Sequence, residues 1–176
     1  MFFLLINSIG IIPVALAMGS FLFLIFLLSF HTLRNSYQTL NASVGAMIEE
    51  SRNYYQVFKK LVDLVQTKGD YINHSERILS VGSSLMSEDI NLEKSLRANK
   101  NLQNEIKIVK EIVFSIPILN EDSSIISAVE ELSQKEQTYQ IAYKKYAYNL
   151  KYYNNFVAKM PSKLVANMLG YRLVQF

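Results

Sequence analysis

MFFLLINSIGIIPVALAMGSFLFLIFLLSF, residues 1–30, decides the fold, because thirty residues without one charged side chain are not an ordinary element of a soluble domain. A spanning helix needs about 20 mainly apolar residues at about 1.5 Å each, so the run is long enough to cross a bilayer. Asn7 and Ser8 are the strongly polar interruptions near its start, and Gly10, Pro13 and Gly19 are tolerated in lipid better than in water. A cleaved signal peptide is the competing reading, and Val14-Ala15-Leu16-Ala17 resembles a cleavage site. Against it stand the missing basic n-region and an apolar run about twice a normal h-region. Residues 1–30 are therefore read as a retained transmembrane anchor.

Outward from the anchor, about 146 residues remain, enough for one domain. The 18 basic and 15 acidic side chains all fall there, so the mean hydropathy of +0.11 averages a very apolar helix with a solvated domain. A net charge of +3, dispersed along the chain, does not form the basic stripe that nucleic acid requires. With no cysteine there is no disulfide framework, thiolate metal site, thiol nucleophile or lipidated Cys. Six Gly and three Pro are few, and long uninterrupted helices are expected.

Past Phe30 the apolar pattern narrows to Leu33, Tyr37, Leu40, Val44, Met47, Ser51, Tyr54, Phe58, Leu61 and Val65, in steps of four and three. Glu49, Glu50, Arg52, Lys59, Lys60 and Asp63 lie off this seam, so a first helix over about 31–67 continues from the anchor. Gly69 and Asp70 close it and open a second helix over about 70–87, with Ile72, Ile78, Leu79, Val81, Leu85 and Met86 as a weaker face broken by Gly82-Ser83-Ser84. A third helix, about 91–116, carries Leu92, Leu96, Asn99, Leu102, Ile106, Val109, Val113 and Ile116, and Pro117 ends it. The signals near residue 88 allow a helix end without demanding one, so the second and third helices could be a single rod. From Asp122 to Met160 runs the clearest seam: Ile125, Val129, Leu132, Glu136, Tyr139, Tyr143, Tyr146, Leu150, Tyr153, Val157 and Met160. Its acids gather at the start and its lysines toward the end, which suits the helix dipole. The tail, residues 161–176, mixes Leu164, Val165, Met168, Leu169, Leu173, Val174 and Phe176 with Lys163 and Arg172, an amphipathic segment with apolar surface to hide.

Few positions invite chemistry. Glu136 stands where the heptad asks for an apolar residue, and a buried carboxylate is costly unless paired; a rim position or a lysine partner is the expected resolution. Tyr139, Tyr143, Tyr146, Tyr148, Tyr152 and Tyr153, interleaved with Lys144, Lys145 and Lys151, could be drawn as a stacking platform for nucleic acid. At helical spacing they read as packing, with Tyr148 and Tyr152 off the seam and exposed. His74 and Glu76, two apart on a helix, do not face each other. No HExxH, Gly-rich phosphate loop or serine elbow occurs, and no metal or cofactor is expected.

The residues also carry a resemblance. Pro117 and Leu119, Glu130-Glu131-Leu132, Glu136, Ala142, Tyr146, Tyr153-Asn154, Pro161, Ala166 and Gly170-Tyr171 resemble the C-terminal half of the LemA family of single-span bacterial membrane proteins. Upstream, Leu61, Leu64, Val65, Tyr71, His74 and Leu79 are similar to that family's leucine-rich segment and the Gly-Tyr-x-x-His stretch after it. Met47 replaces a usual tryptophan, Val62 a proline and Asp70 a glycine, and the missing proline leaves the first helix straighter. The resemblance implies a membrane helix followed by an up-and-down bundle of four helices with no established enzymatic activity.

The expectation is thus an all-α protein: a transmembrane helix (1–30) continuing into an up-and-down antiparallel helical bundle (31–160) of four helices, or three long ones, with an amphipathic tail (161–176) lying in the bilayer interface. Its function is read as a non-catalytic membrane-anchored scaffold or adaptor, with the bilayer and a protein partner or a second copy as contacts, and no nucleic acid or small-molecule substrate. Glu136, Tyr146, Tyr148, Tyr152, Tyr153, Asn154, Pro161, Gly170 and Tyr171 are the candidate structural and interaction residues. The alternative is a membrane-bound hydrolase or lipid-handling protein using Glu136 with His74. Arg34 beside the span favours the bundle on the cytoplasmic side.

Overall fold

The computed structural model describes residues 2–72, 75–87 and 91–174, which form helices and no strand. The order is α1 (Phe2–Lys68), α2 (Ser75–Met86), α3 (Leu92–Ser115), α4 (Pro117–Asn120), α5 (Ser123–Ala158) and α6 (Ser162–Leu169). The protein is all-α, a long N-terminal apolar helix followed by helices that pack together. α1 continues through Pro13 and past Phe30 without a break. Its first part is long and apolar enough to cross a membrane, and its described side chains up to Leu24 are exposed.

The chain divides into two compact units, both drawing on α1 and α5. In residues 42–147, α1 supplies Tyr54, Phe58, Leu61 and Val65, and α2 supplies Ile78, Val81 and Leu85. Leu102, Ile106, Val109 and Val113 of α3, Leu119 of α4, and Ile125 and Leu132 of α5 complete one core. α1 and α5 run antiparallel here, since Lys60 meets Glu131 at 3.0 Å and Lys68 meets Asp122 at 2.6 Å. α2 and α3 are separate helices packed on each other, so the three-rod alternative does not hold. The unit of residues 1–41 and 148–175 buries Leu33, Ser36 and Leu40 of α1 with Tyr153, Val157, Val165 and Ala166.

Local chemistry explains most helix ends. Asn91 caps α3, its side chain accepting from Lys94 N at 2.9 Å. Pro117 holds Ile116 in extended geometry (φ −106°, ψ 112°), because a residue before proline is driven out of the α region. The proline then opens the short α4 that periodicity did not reveal, a four-residue turn that seats Leu119 in the core. Asp122 opens α5 by accepting from the amides of Ser124 (2.8 Å) and Ile125 (3.3 Å) and from the Ser124 hydroxyl. At the other end, Gly170 takes the left-handed conformation (φ 76°, ψ 13°) that stops α6.

Several expectations need correction. α2 begins at Ser75 rather than about residue 70: Tyr71 N donates to Gly69 O at 2.9 Å, which turns the chain tightly, and Ile72 drops into the core outside any helix. On α1 the buried line runs through Ser29, Leu33, Ser36, Leu40, Ser43 and Met47, so Ser36 and Ser43, not Tyr37 and Val44, face inward. Small serines let a neighbouring helix approach, and Ser36 and Ser51 satisfy their hydroxyls on the carbonyls of Leu33 (2.9 Å) and Met47 (2.8 Å). On α5 the deepest positions are seven apart, Ile125, Leu132, Tyr139, Tyr146 and Tyr153, while Glu136 and Leu150 are half-buried and Tyr143 and Met160 exposed. Leu79 and Met86 of α2 are exposed rather than facial. The tail is helical only to Leu169; residues 171–174 lie outside any helix.

Candidate functional site

Five of the candidate residues meet in one constellation at the tail. Tyr153, on the innermost line of α5, donates its hydroxyl to Arg172 O at 2.9 Å. Its neighbour Asn154 forms a two-way amide contact with Val174, donating Nδ2 to the carbonyl (2.8 Å) and accepting at Oδ1 from the amide (3.0 Å). The side chain thereby stands in for a β-strand neighbour, satisfying both polar groups of one peptide position. Pro161 leads from α5 into α6, and Gly170 turns the chain so that Tyr171 sets its ring against Tyr37 at 5.5 Å. Tyr37 also meets Tyr153 at 5.8 Å. Together these residues latch the tail to α5 and α1.

Tyr148 and Tyr152 are exposed, their rings stacked at 6.5 Å and 16°, with Tyr152 against Phe156 at 5.2 Å. They border a shallow groove whose other wall is Thr32, Asn35, Ser36 and Thr39 of α1, so it is lined by hydroxyls, amides and aromatics without a charge.

Glu136 lies at the rim of residues 42–147, its side chain 41 % exposed, with Lys110 Nζ at 3.5 Å. It also faces the Tyr54 hydroxyl, whose pKa is pushed far up, first by burial and then by the charge and hydrogen bond of Glu136. Burial likewise raises Tyr139, to about 12, and Tyr146 and Tyr153, helped in each case by neighbouring tyrosines. These phenols are neutral donors at physiological pH, and none is poised as a base. Tyr54 stacks on Tyr139 at 6.2 Å, and Tyr139 meets Tyr143 at 6.3 Å with the rings tilted, so the tyrosine series packs. Tyr146 is buried in it. His74 lies outside the described residues. Among those described, no group of three or more His, Cys, Asp or Glu could hold a metal ion.

Sequence reasoning missed three positions. Arg52, read as a solvated charge, donates Nε to Leu85 O and Nη2 to Ser87 O, both at 2.9 Å, and so caps the C-terminal end of α2 from α1. Gly82, read as a weakness, is where Tyr55 presses in: a Cβ there would lie 1.9 Å from the phenol oxygen. Asn99 of α3 donates to Ser51 Oγ at 2.6 Å across the core. The serines at 29, 36 and 43, seven apart, were the available signal for the inward phase of α1.

No curated protein and no solved structure matches the chain. Residues 51–176, from the last third of α1 through the latched tail, match the family model of the LemA family. On that match, which spans well over half of its length, the chain belongs to the LemA family.

Proposed function

We propose that this protein is a single-pass, membrane-anchored scaffold or adaptor that acts through helix-face contacts with a protein partner or a second copy of itself, without catalysis. The observation that carries the reading is the exposed, stacked pair Tyr148–Tyr152 with Phe156 beside it, aromatic surface of the kind that anchors interfaces. Support for the anchor comes from the uncharged run before His31, whose residues from Ile12 to Leu24 have no protein cover. Support for a non-catalytic role comes from Glu136, whose carboxylate is engaged by Lys110. In this reading the bundle lies on the cytoplasmic side, supported by Arg34 beside the span and by Lys151, Lys159, Lys163 and Arg172 in the compact unit that contains the apolar run.

The cysteine-free chain makes the test direct. Single cysteines at Tyr148 and Tyr152, in cells, should give discrete crosslinked species with a short bifunctional maleimide, while a cysteine at Lys100 should not. A monomer without specific adducts at both tyrosine positions would refute the scaffold reading. A cysteine at Lys151 should be protected from an impermeant maleimide until the cells are permeabilised; labelling in intact cells would place the bundle outside.

A further inference from the structure

The latched tail presents a second, uncovered apolar face. On α6, Val165 and Ala166 turn inward and are buried, while Leu164 (56 % exposed) and Met168 (75 % exposed) point away one helical turn apart. Met160, Leu169 and Leu173 extend the exposed apolar surface before and after them. A short helix that is apolar on both faces, with one face already packed, has a second contact to make.

Its place in the fold identifies that contact. α6 belongs to the same compact unit as the span. Up to Leu24 the described span residues are exposed, but Ile25, Phe26 and Phe30 are half-covered, Ser29 is 7 % exposed and Leu33 is fully buried. A lone helix cannot bury its own side chains to that degree. Within the unit, cover for the end of the apolar run comes from residues 148–174, the last turns of α5 together with α6 and the chain after it. Tyr171, which ends the α6 turn, rests on Tyr37, seven residues beyond Phe30, or about 10 Å along the helix.

Charge points the same way. After Glu136 there is no Asp or Glu, whereas Lys144, Lys145, Lys151, Lys159, Lys163 and Arg172 follow. Lys159 and Lys163 precede the exposed Leu164 within five residues, and both are exposed. Apolar side chains framed by cations, without one compensating acid, match an anionic bilayer surface.

We infer that α6 is an interfacial foot. Held by the Tyr153–Asn154 latch, it inserts Leu164 and Met168 among the headgroups of anionic lipids beside the span and orients the adjoining part of the helical domain against the membrane. The inference rests on the membrane-anchored reading above.

The test uses the full chain in vesicles of phosphatidylcholine and phosphatidylglycerol, with an environment-sensitive fluorophore on one introduced cysteine at Leu22, Leu164, Met168 or Ile141. Lipids carrying a nitroxide high on the acyl chain should quench Leu164 and Met168 by about two-fold or more, as expected for a helix seated at the acyl boundary. Ile141, a solvent-exposed apolar position outside α6, gives the reference signal against which that quenching is read. Quenching at both α6 positions should fall in vesicles of phosphatidylcholine alone, and likewise for the Lys159→Gln/Lys163→Gln variant. Quenching at Leu22 but not at Leu164 or Met168 overturns the foot and leaves the anchor intact, whereas no quenching at Leu22 overturns the anchor itself. Disulfide-linked dimers through Met168→Cys in place of lipid quenching would assign the face to a second copy and overturn the inference.

Discussion

Replacing Asn154 by alanine should free the end of the tail while leaving the helical core standing. The side chain makes two hydrogen bonds to Val174, at 2.8 and 3.0 Å, and among the described residues no other element partners the Val174 N–H or carbonyl. A hydrogen bond contributes about 0.5–1.5 kcal/mol net, so losing both destabilises the latched conformation by about 1–3 kcal/mol. At about 1.4 kcal/mol per factor of ten, the open tail becomes roughly five- to 150-fold more populated. The opening is local, because the core of residues 42–147 contains no residue of the tail. Amide exchange at Val174, whose N–H is the donated group, should accelerate by that factor, and trypsin should cut after Arg172 correspondingly faster. The melting temperature should hardly move. Tyr153→Phe keeps the ring but loses the bond to Arg172 O, and should give about 1 kcal/mol of the same local effect. Unchanged exchange at Val174 in Asn154→Ala would refute the latch; a collapse of global stability would refute its independence from the core.

Other perturbations test the remaining contacts. Gly82→Ala on an open helix would stabilise by about 1 kcal/mol, but the new Cβ would lie 1.9 Å from the buried Tyr55 phenol, and overpacking of about 1–3 kcal/mol wins. In a Tyr55→Leu background the sign should reverse, as chemical denaturation of both pairs would show; stabilisation in both backgrounds would remove the glycine's packing role. Arg52→Met should cost about 1–2 kcal/mol, since it withdraws a charged donor from two carbonyls at a partly exposed helix end. Amide exchange of the last turn of α2 would register it, and no change there would sink the capping assignment. Asp122 is held well below the ordinary carboxylate range, first by Lys68, then by Ser124 and the α5 amides. A depressed native pKa contributes stability that is present above the unfolded value of about 3.9 and is lost only as pH falls through the native one. The carboxyl resonance of Asp122 should therefore stay ionised at pH 3.5, and titration near 3.9 would contradict the ion pair.

Sequence alone determined the long elements: hydropathy marked the apolar first part of α1, and three- and four-residue spacing marked the rest of α1, α3 and α5. Asn91, Asp122 and Pro117 signalled helix boundaries, because capping and pre-proline geometry act within a few residues. The LemA membership was also legible, resting on side chains in one run from Pro117 to Tyr171. Tertiary structure decided which phase of each seam turned inward. Ser36 displaced Tyr37 because a neighbouring helix can approach a serine that bonds its own backbone, while the tyrosine ring packs better at the edge against Tyr153 and Tyr171. It also decided what the polar residues do. Arg52 finds carbonyls 33 and 35 residues away, Asn99 finds a hydroxyl 48 away, and Asn154 finds a peptide 20 away. Such pairings leave no periodic trace, since they depend on where the chain returns in space. The candidate residues Tyr153, Asn154, Pro161, Gly170 and Tyr171 were visible one by one as letters; only folding α6 back onto α1 and α5 joined them into a latch.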